Sequence, residues 1–81
     1  MKKFNNNLNV LGLVLKTHRE KNGFTKEALS RSLELFGIIL DRNEIYRIEH
    51  FRRSVKDFEL IAICKILKID FNDLIRLISE D

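Results

Sequence analysis

The sequence contains no proline, only one cysteine and no long apolar run. Without proline-rich linkers or internal repeats, the 81 residues are expected to form a single domain over positions 1–81. The one cysteine, Cys64, excludes an intrachain disulfide and a cysteine zinc cluster. It lies within the apolar segment LIAICKIL, which indicates a small buried side chain rather than a reactive thiol.

Features of membrane, secreted and catalytic proteins are also missing. No apolar stretch approaches the roughly 18 residues of a membrane span, and the N-terminus lacks the pattern of a secretory signal. We therefore expect a cytoplasmic protein of bacterial or phage type without a membrane partner. There is no glycine-rich phosphate loop and no nucleophile motif, and the two histidines, His18 and His50, have no supporting ligands near them in sequence. We expect no enzyme activity and no metal, cofactor or small-molecule ligand.

Charge is unevenly distributed along the chain, although the formal net charge is only +3. Residues 1–24 carry five Lys or Arg and one acidic residue, whereas residues 57–81 carry three and six. The chain can therefore offer a basic face to a polyanion. Chance clustering on a solvated surface would give the same counts, so charge alone does not distinguish a binding face from chance clustering.

Apolar residues at helical spacing predict five helices and no strand, hence an all-α fold. The first helix is expected over about Leu8–Asn22, where Asn22-Gly23 ends it, and Gly12 within it predicts the close approach of another helix. Thr25 is a suitable N-cap for the second helix, and Gly37 ends that helix. The remaining helices are expected from Arg42 to about His50, from a cap at Ser54 or Asp57 to about Lys68, and from Asp70 onward. Residues 1–7 are expected to form a flexible tail.

The same spacing predicts which residues are buried. On the second helix the apolar stripe is Leu29, Leu33 and Phe36, and the segment 38–40 that follows must pack inward. On the fifth helix the buried side is expected to hold four apolar residues, namely Phe71, Leu74, Ile75 and Ile78.

The segment DRNEIYRIEHFRR, residues 41–53, carries the strongest functional signal. Asp41 is a helix N-cap and Glu44, three residues on, completes a capping box. Because Ile45 and Ile48 point inward, the residues that point outward together are Arg42, Asn43, Tyr46 and Arg47. Arginine can bind guanine O6 and N7, and asparagine can bind adenine N6 and N7. This pattern favours a DNA-recognition helix, and a solvated helix surface is the alternative.

Three stretches, LGLVLKTHREKNGFTKEALSRSL, EIYRIEH and DFELIAICKILKIDFNDLI, follow one another between about Leu11 and Ile75. In order and spacing they resemble the lambda-repressor/Cro-like, or XRE-like, helix-turn-helix domains. That resemblance implies a compact five-helix domain in which helices two and three form the helix-turn-helix. It also implies binding to double-stranded operator DNA, usually as a dimer and mostly in transcriptional repression.

The resemblance assigns roles to individual residues. Arg19 and Glu49 match a structural ion pair that ties the first helix to the end of the recognition helix. Thr25 and Lys26 match the start of helix two, where the family contacts a phosphate and where Lys26 replaces the usual glutamine. Two further groups match DNA-contacting positions: Arg42, Asn43, Tyr46 and Arg47 in the groove, and Arg52, Arg53 and Ser54 at phosphates. Tyr46 can contact a sugar or a thymine methyl, or pack against the loop instead, and the paired arginines can be merely solvated.

The sequence departs from the family pattern at three further places. The segment ELFGIIL makes the connection between helices two and three several residues longer than the family turn. Glu44 brings a negative charge near the groove, either for helix capping or to accept from cytosine N4. Phe51 stands where the family often has glycine, so either the helix closes differently or Phe51 packs into the core or a partner.

The apolar residues of the fifth helix cover more than one face. We expect some of them to form a homodimer patch, and the patch residues are Phe71, Leu74, Leu77 and Ile78. The alternative is that all of them fill the core. A second function is also open: a protein-interaction module on the same fold, antitoxin-like or regulator-binding, with weak or no DNA binding.

Overall fold

Five α-helices and no strand make up residues 8–79, the part of the chain that the computed structural model describes, with side chains described through residue 76. The helices are α1 (Gly12–Lys21), α2 (Lys26–Glu34), α3 (Arg42–Glu49), α4 (Asp57–Leu67) and α5 (Phe71–Ser79). The predicted all-α, five-helix fold is therefore confirmed. The predicted flexible tail, residues 1–7, lies outside the described residues.

The first helix begins at Gly12 and not at Leu8, so the predicted start was wrong. The carboxamide oxygen of Asn9 accepts hydrogen bonds from the backbone N–H groups of Leu11 (3.0 Å) and Gly12 (2.8 Å). The amide nitrogen of Asn9 donates to the carbonyl oxygens of Ile48 and Arg53. Asn9 thus supplies acceptors to the first free N–H groups of α1 and attaches this end of the helix to α3 and the loop that follows it.

Gly12 lies against the last turn of α3, as its position inside a helix predicted. A Cβ atom added to Gly12 would lie 2.5 Å from the carbonyl oxygen of Ile48 and 2.9 Å from that of Glu49. Those neighbours are backbone atoms and cannot move aside as a flexible side chain would. Glycine is therefore required for α1 and α3 to pack at this distance.

Thr25 caps α2, its hydroxyl oxygen accepting from the N–H of Ala28 at 3.0 Å. The helix ends at Glu34, and Gly37 (φ +77°) donates to the Glu34 carbonyl oxygen in a left-handed turn. Because the helix ends before Phe36, that side chain does not continue the apolar stripe of α2 and is 51% exposed. Its predicted burial was therefore wrong. In the segment 38–40, Leu40 is buried but Ile39 is 72% exposed, so the predicted inward packing is only partly correct.

The start of α4 is capped by neither of the predicted residues. Lys56 occupies the N-cap position, and the carboxylate of Glu59 accepts from its backbone N–H at 2.9 Å. Asp57 is the first helical residue and accepts from the N–H of Phe58. The helix ends at Leu67, and the C-cap residue Lys68 is left-handed, with φ of 58°.

The fifth helix places fewer side chains in the core than its sequence predicted. Leu74 is buried, whereas Phe71 and Ile75 are exposed, and the side chain of Ile78 lies outside the described part of the chain. Leu74 therefore cannot belong to an exposed dimer patch, and that part of the prediction was wrong. Of the other three patch residues, Phe71 is available at the surface and Leu77 and Ile78 lie outside the described side chains.

The core lies where α1, α2, α3 and α4 meet, and α5 contributes one residue to it. Its buried apolar members are Leu11, Leu15, Leu29, Leu33, Leu40, Ile45, Ile48, Ala62, Ile63, Cys64, Leu67, Ile69 and Leu74. Cys64 is buried as expected, and its burial raises the pKa of the thiol above the ordinary value. This core holds α3 by one side and leaves the opposite side to solvent.

Candidate nucleic-acid interface

The outward face of α3 gathers polar side chains because the other side of the helix is fixed. Ile45 and Ile48 are buried beneath it. The capping box is complete, with the Asp41 carboxylate accepting from the N–H of Glu44 (2.8 Å) and the Glu44 carboxylate accepting from that of Asp41 (3.3 Å). This confirms the capping role of Glu44. The exposed residues of the helix are those predicted to share one face, Arg42, Asn43, Tyr46 and Arg47.

The C-terminal end of α3 is fixed by the ion pair between Arg19 and Glu49. The Nε of Arg19 donates to Oε2 of Glu49 at 2.6 Å and Nη2 donates to Oε1 at 3.2 Å. Both residues are buried, and Nη1 donates to the carbonyl oxygen of Phe24. The hydrogen bond with Glu49 raises the pKa of the Arg19 guanidinium above its ordinary value. A buried, bidentate pair of this kind fixes geometry, here between α1 and the end of α3.

The N-terminus of α2 lies beside the outward face of α3. The ammonium nitrogen of Lys26 is 5.9 Å from the ring centroid of Tyr46. The next residue, Glu27, lies with its Oε2 3.3 Å from the Nε of Arg42. Thr25 is exposed at the same end. The structure therefore brings Lys26 next to the predicted base-contacting residue Tyr46 and adds Glu27 beside Arg42, with Thr25 at the same end of the helix.

His50 belongs to the same surface although the sequence did not indicate it. Its ring stacks on that of Tyr46, with centroids 4.0 Å apart and planes 25° from parallel. The ring nitrogen Nδ1 lies 2.8 Å from the carbonyl oxygen of Tyr46. The spacing of four residues on a helix is the signal that could have revealed this contact. Tyr46 remains half exposed, so the stack holds its ring in place and leaves it open to solvent.

The loop after α3 begins with a non-glycine residue in the left-handed conformation. Phe51 has φ of +63°, and the N–H of Arg52 donates to the carbonyl oxygen of Arg47 at 2.7 Å. The helix therefore closes as it would with glycine, so of the two alternatives for Phe51 a different closure is not the one observed. Phe51 itself is half-buried. Arg52 and Ser54 are exposed in this loop, where a phosphate can reach them.

Arg53 differs from the prediction, because its guanidinium is already bound within the protein. Nη1 and Nη2 donate to the two carboxylate oxygens of Glu59 at 2.9 and 3.1 Å. Nη1 also donates to the carbonyl oxygen of Ser54, and Nε lies 3.7 Å from the Glu44 carboxylate. The side chain is 19% exposed. We therefore assign Arg53 to the support of the loop and not to a phosphate contact.

Residues 8–76 contain no cluster of three or more His, Cys, Asp or Glu that could hold a metal ion. No helix among the described residues is long and apolar enough to cross a membrane. Comparison of the chain with protein-family models, with curated proteins and with solved structures finds no match. Evidence for the function of the chain therefore comes from the geometry of the face around α3.

Proposed function

We propose that the chain is a sequence-specific DNA-binding regulator of transcription that inserts α3 into the major groove. The observation that supports this most is that four side chains able to contact base edges share one solvent-exposed face of a helix fixed at both ends. These side chains are Arg42, Asn43, Tyr46 and Arg47. Arginine can form two hydrogen bonds with guanine, and asparagine can form two with adenine. The resemblance to lambda-repressor/Cro-like domains is part of this proposal.

The phosphate contacts flank this face on both sides. On one side are Thr25 and Lys26 at the N-terminus of α2, where free N–H groups and the helix dipole favour an anion. On the other side are Arg52 and Ser54, exposed in the loop after α3. Contacts to phosphate set orientation and supply affinity, and contacts to bases supply specificity. Occupation of a promoter by this arrangement would repress transcription.

Selection of duplexes from a random pool tests this function directly. We expect a preferred sequence to be enriched within a few rounds. A homodimer, which we include in the proposal, would enrich two inverted half-sites about one helical turn apart. A monomer would enrich one half-site, and a measurement of solution mass distinguishes the two cases. Recovery of the pool without any preferred sequence would contradict sequence-specific binding.

A second candidate function is that of a protein-interaction module. It is supported by an exposed apolar surface formed by α4 and by residues that lie beside it. This surface, which we call the α4 surface, consists of Phe36, Phe58, Ile61 and Phe71, each about half exposed. It contains two open depressions of about 310 and 360 Å³ that share Ile61 and Lys65 as a common border. Exposed apolar patches of this kind mark sites of protein contact.

The α4 surface favours an amphipathic helix of another protein as its partner. The apolar side of that helix would cover the aromatic residues, and its acidic residues would lie beside Lys65. Two copies of the chain related by a two-fold axis at Ile61 would instead bring the two Lys65 side chains close together, and their like charges would repel.

A salt titration with random duplex DNA separates the two functions. A DNA-binding protein must lose affinity steeply as salt rises, whereas an interaction module would bind little DNA at any salt concentration.

A further inference from the structure

Glu27 forms an ion pair with Arg42, a predicted base-contacting residue. It is the second residue of α2, and its Oε2 is 3.3 Å from the Nε of Arg42, the first residue of α3. The two side chains are 49% and 66% exposed. The contact therefore lies at the surface, at the point where the starts of the two helices meet, and it is open to a ligand.

A carboxylate on Nε leaves the other edge of the guanidinium free. Arginine has five N–H donors in a fixed planar arrangement, of which Nε carries only one. The donors on Nη1 and Nη2 remain available to the O6 and N7 atoms of a guanine. Because the group is planar, a partner on Nε also restricts its rotation. Glu27 can thus orient Arg42 without occupying the donors that a base would use.

The same carboxylate opposes DNA binding in general. A negative charge beside a face that meets a polyanion reduces the favourable phosphate contacts. Lys26, the neighbouring residue, has the opposite effect and lies over the ring of Tyr46. An acidic side chain at the start of α2 also interacts favourably with the helix dipole, and this helix-stabilising role is the competing explanation for Glu27.

We propose that Glu27 is a positioning residue that fixes the Arg42 guanidinium for one guanine and thereby determines specificity at that base pair. The proposal rests on the proposed DNA-binding function. It has a consequence that a purely helix-stabilising role lacks. Removal of the carboxylate must raise the affinity for random DNA and at the same time lower the discrimination at one base pair.

The test measures binding of the parent and of Glu27→Ala to the selected duplex, to its single-base-pair variants and to a random duplex, each over a range of salt. We expect Glu27→Ala to bind random DNA more tightly, with a salt slope steeper by about one. At the base pair contacted by Arg42 we expect discrimination to fall by about fivefold or more, the equivalent of at least about 1 kcal/mol. Preference at the other base pairs should be unchanged.

Two controls separate positioning from general effects. Glu34→Ala removes a similar exposed charge from the last residue of the same helix and should leave discrimination unchanged. Arg42→Ala should lose preference at the same base pair, and the double variant should lose no more than Arg42→Ala alone, because the two residues act as a unit. Circular dichroism of each variant measures whether its helical fold is kept. Glu27→Gln, which has an uncharged acceptor, should recover part of the discrimination.

Three results would overturn the inference. They are unchanged preference at every base pair in Glu27→Ala, an equal loss at all base pairs, and additive losses in the double variant. Failure of the underlying function looks different, because the parent itself would then show no preferred sequence and no salt-dependent binding. A parent that binds specifically while Glu27→Ala keeps its full preference contradicts the positioning role alone.

Discussion

Individual side chains on the α3 face are expected to contribute in two distinguishable ways. Arg47 lies on the outward face of the helix and Arg52 in the loop beyond it, and both are exposed. Arg47→Ala should relax preference at one base pair by about 1–3 kcal/mol, because a base contact is lost. Arg52→Ala should weaken binding to all duplexes and reduce the salt slope by about one, because a phosphate contact is lost.

Fluorescence anisotropy over a range of salt concentrations measures both effects. Lys65→Ala is the matched control, since it removes an exposed positive charge from α4, away from α3. It should leave sequence preference intact. If Arg47→Ala and Arg52→Ala had the same profile across sequences and salt, the division into base and phosphate contacts would be incorrect.

The ion pair of Arg53 with Glu59 predicts a pH dependence of stability. Burial of Glu59 raises its pKa, but the hydrogen bonds from Arg53 and from the Lys56 N–H outweigh burial, so the net pKa lies below the ordinary 4.5. A carboxyl group whose pKa is lower in the folded state stabilises the fold above its unfolded-state pKa. That stabilisation is lost as the pH falls through the folded-state pKa.

Thermal unfolding of the parent and of Glu59→Gln between neutral pH and about pH 3 tests this pH dependence. The variant should be less stable at neutral pH, because a partly buried arginine loses its charged partner. It should also lose less stability on acidification. Parallel stability curves for the two proteins would show that Glu59 titrates identically in the folded and unfolded states.

At the scale of helices, the packing of α1 on α3 depends on Gly12. Gly12→Ala should destabilise the domain by about 1–3 kcal/mol, although alanine is the better helix former, because its Cβ would meet backbone oxygens of α3. Chemical denaturation measures the change. Thr17→Ala, at an exposed position of the same helix, is the control and should have little effect on stability. An equal or greater stability of Gly12→Ala would mean that the two helices can separate at no cost.

The end of α4 offers a substitution expected to stabilise the domain. Lys68 is exposed and left-handed, a conformation that costs a non-glycine residue roughly 1 kcal/mol. Lys68→Gly should therefore raise the free energy of unfolding by about 0.5–1 kcal/mol. Lys65→Gly removes the same charge three residues earlier, inside the helix, and should lower it by about 1 kcal/mol. Changes of the same sign in both variants would contradict the conformational explanation.

Local signals in the sequence predicted the five helices and the N-caps of α2 and α3. Thr25, Asp41 and Glu44 act through partners within three residues, so their roles are visible from spacing alone. The start of α1 was not predictable in the same way. Asn9 is held there by the carbonyl oxygens of Ile48 and Arg53, about 40 positions away in sequence.

The outward face of α3 was predictable from the sequence, whereas the contacts around that face were not. Two buried isoleucines fix which side of a short helix is exposed, and the sequence shows them directly. The contacts of Glu27 and Arg53 depend instead on how α2, α3 and the loop lie relative to one another. Residue spacing contains no such information, which is why Arg53 was assigned to phosphate and Glu27 was missed.

For the whole molecule, the two surfaces of interest lie at opposite ends of α2. Thr25 and Lys26 at its N-terminus join the α3 face, whereas Phe36 beyond its C-terminus joins the α4 surface. A nine-residue helix is about 13 Å long. A DNA duplex on the α3 face and a protein on the α4 surface are therefore at different places on the domain, and binding of one does not by itself exclude the other.

The DNA-recognition role of α3 can be tested by comparing the parent with a variant in which Arg42, Asn43 and Arg47 are all changed to alanine. Binding of each is measured on the selected duplex and on random duplex over a range of salt. We expect the parent to lose affinity steeply with salt and to prefer the selected duplex by about 10³-fold or more. The triple variant should keep the fold and lose that preference. A triple variant that retained the full preference, or a parent that bound neither duplex, would contradict a DNA-recognition role for α3.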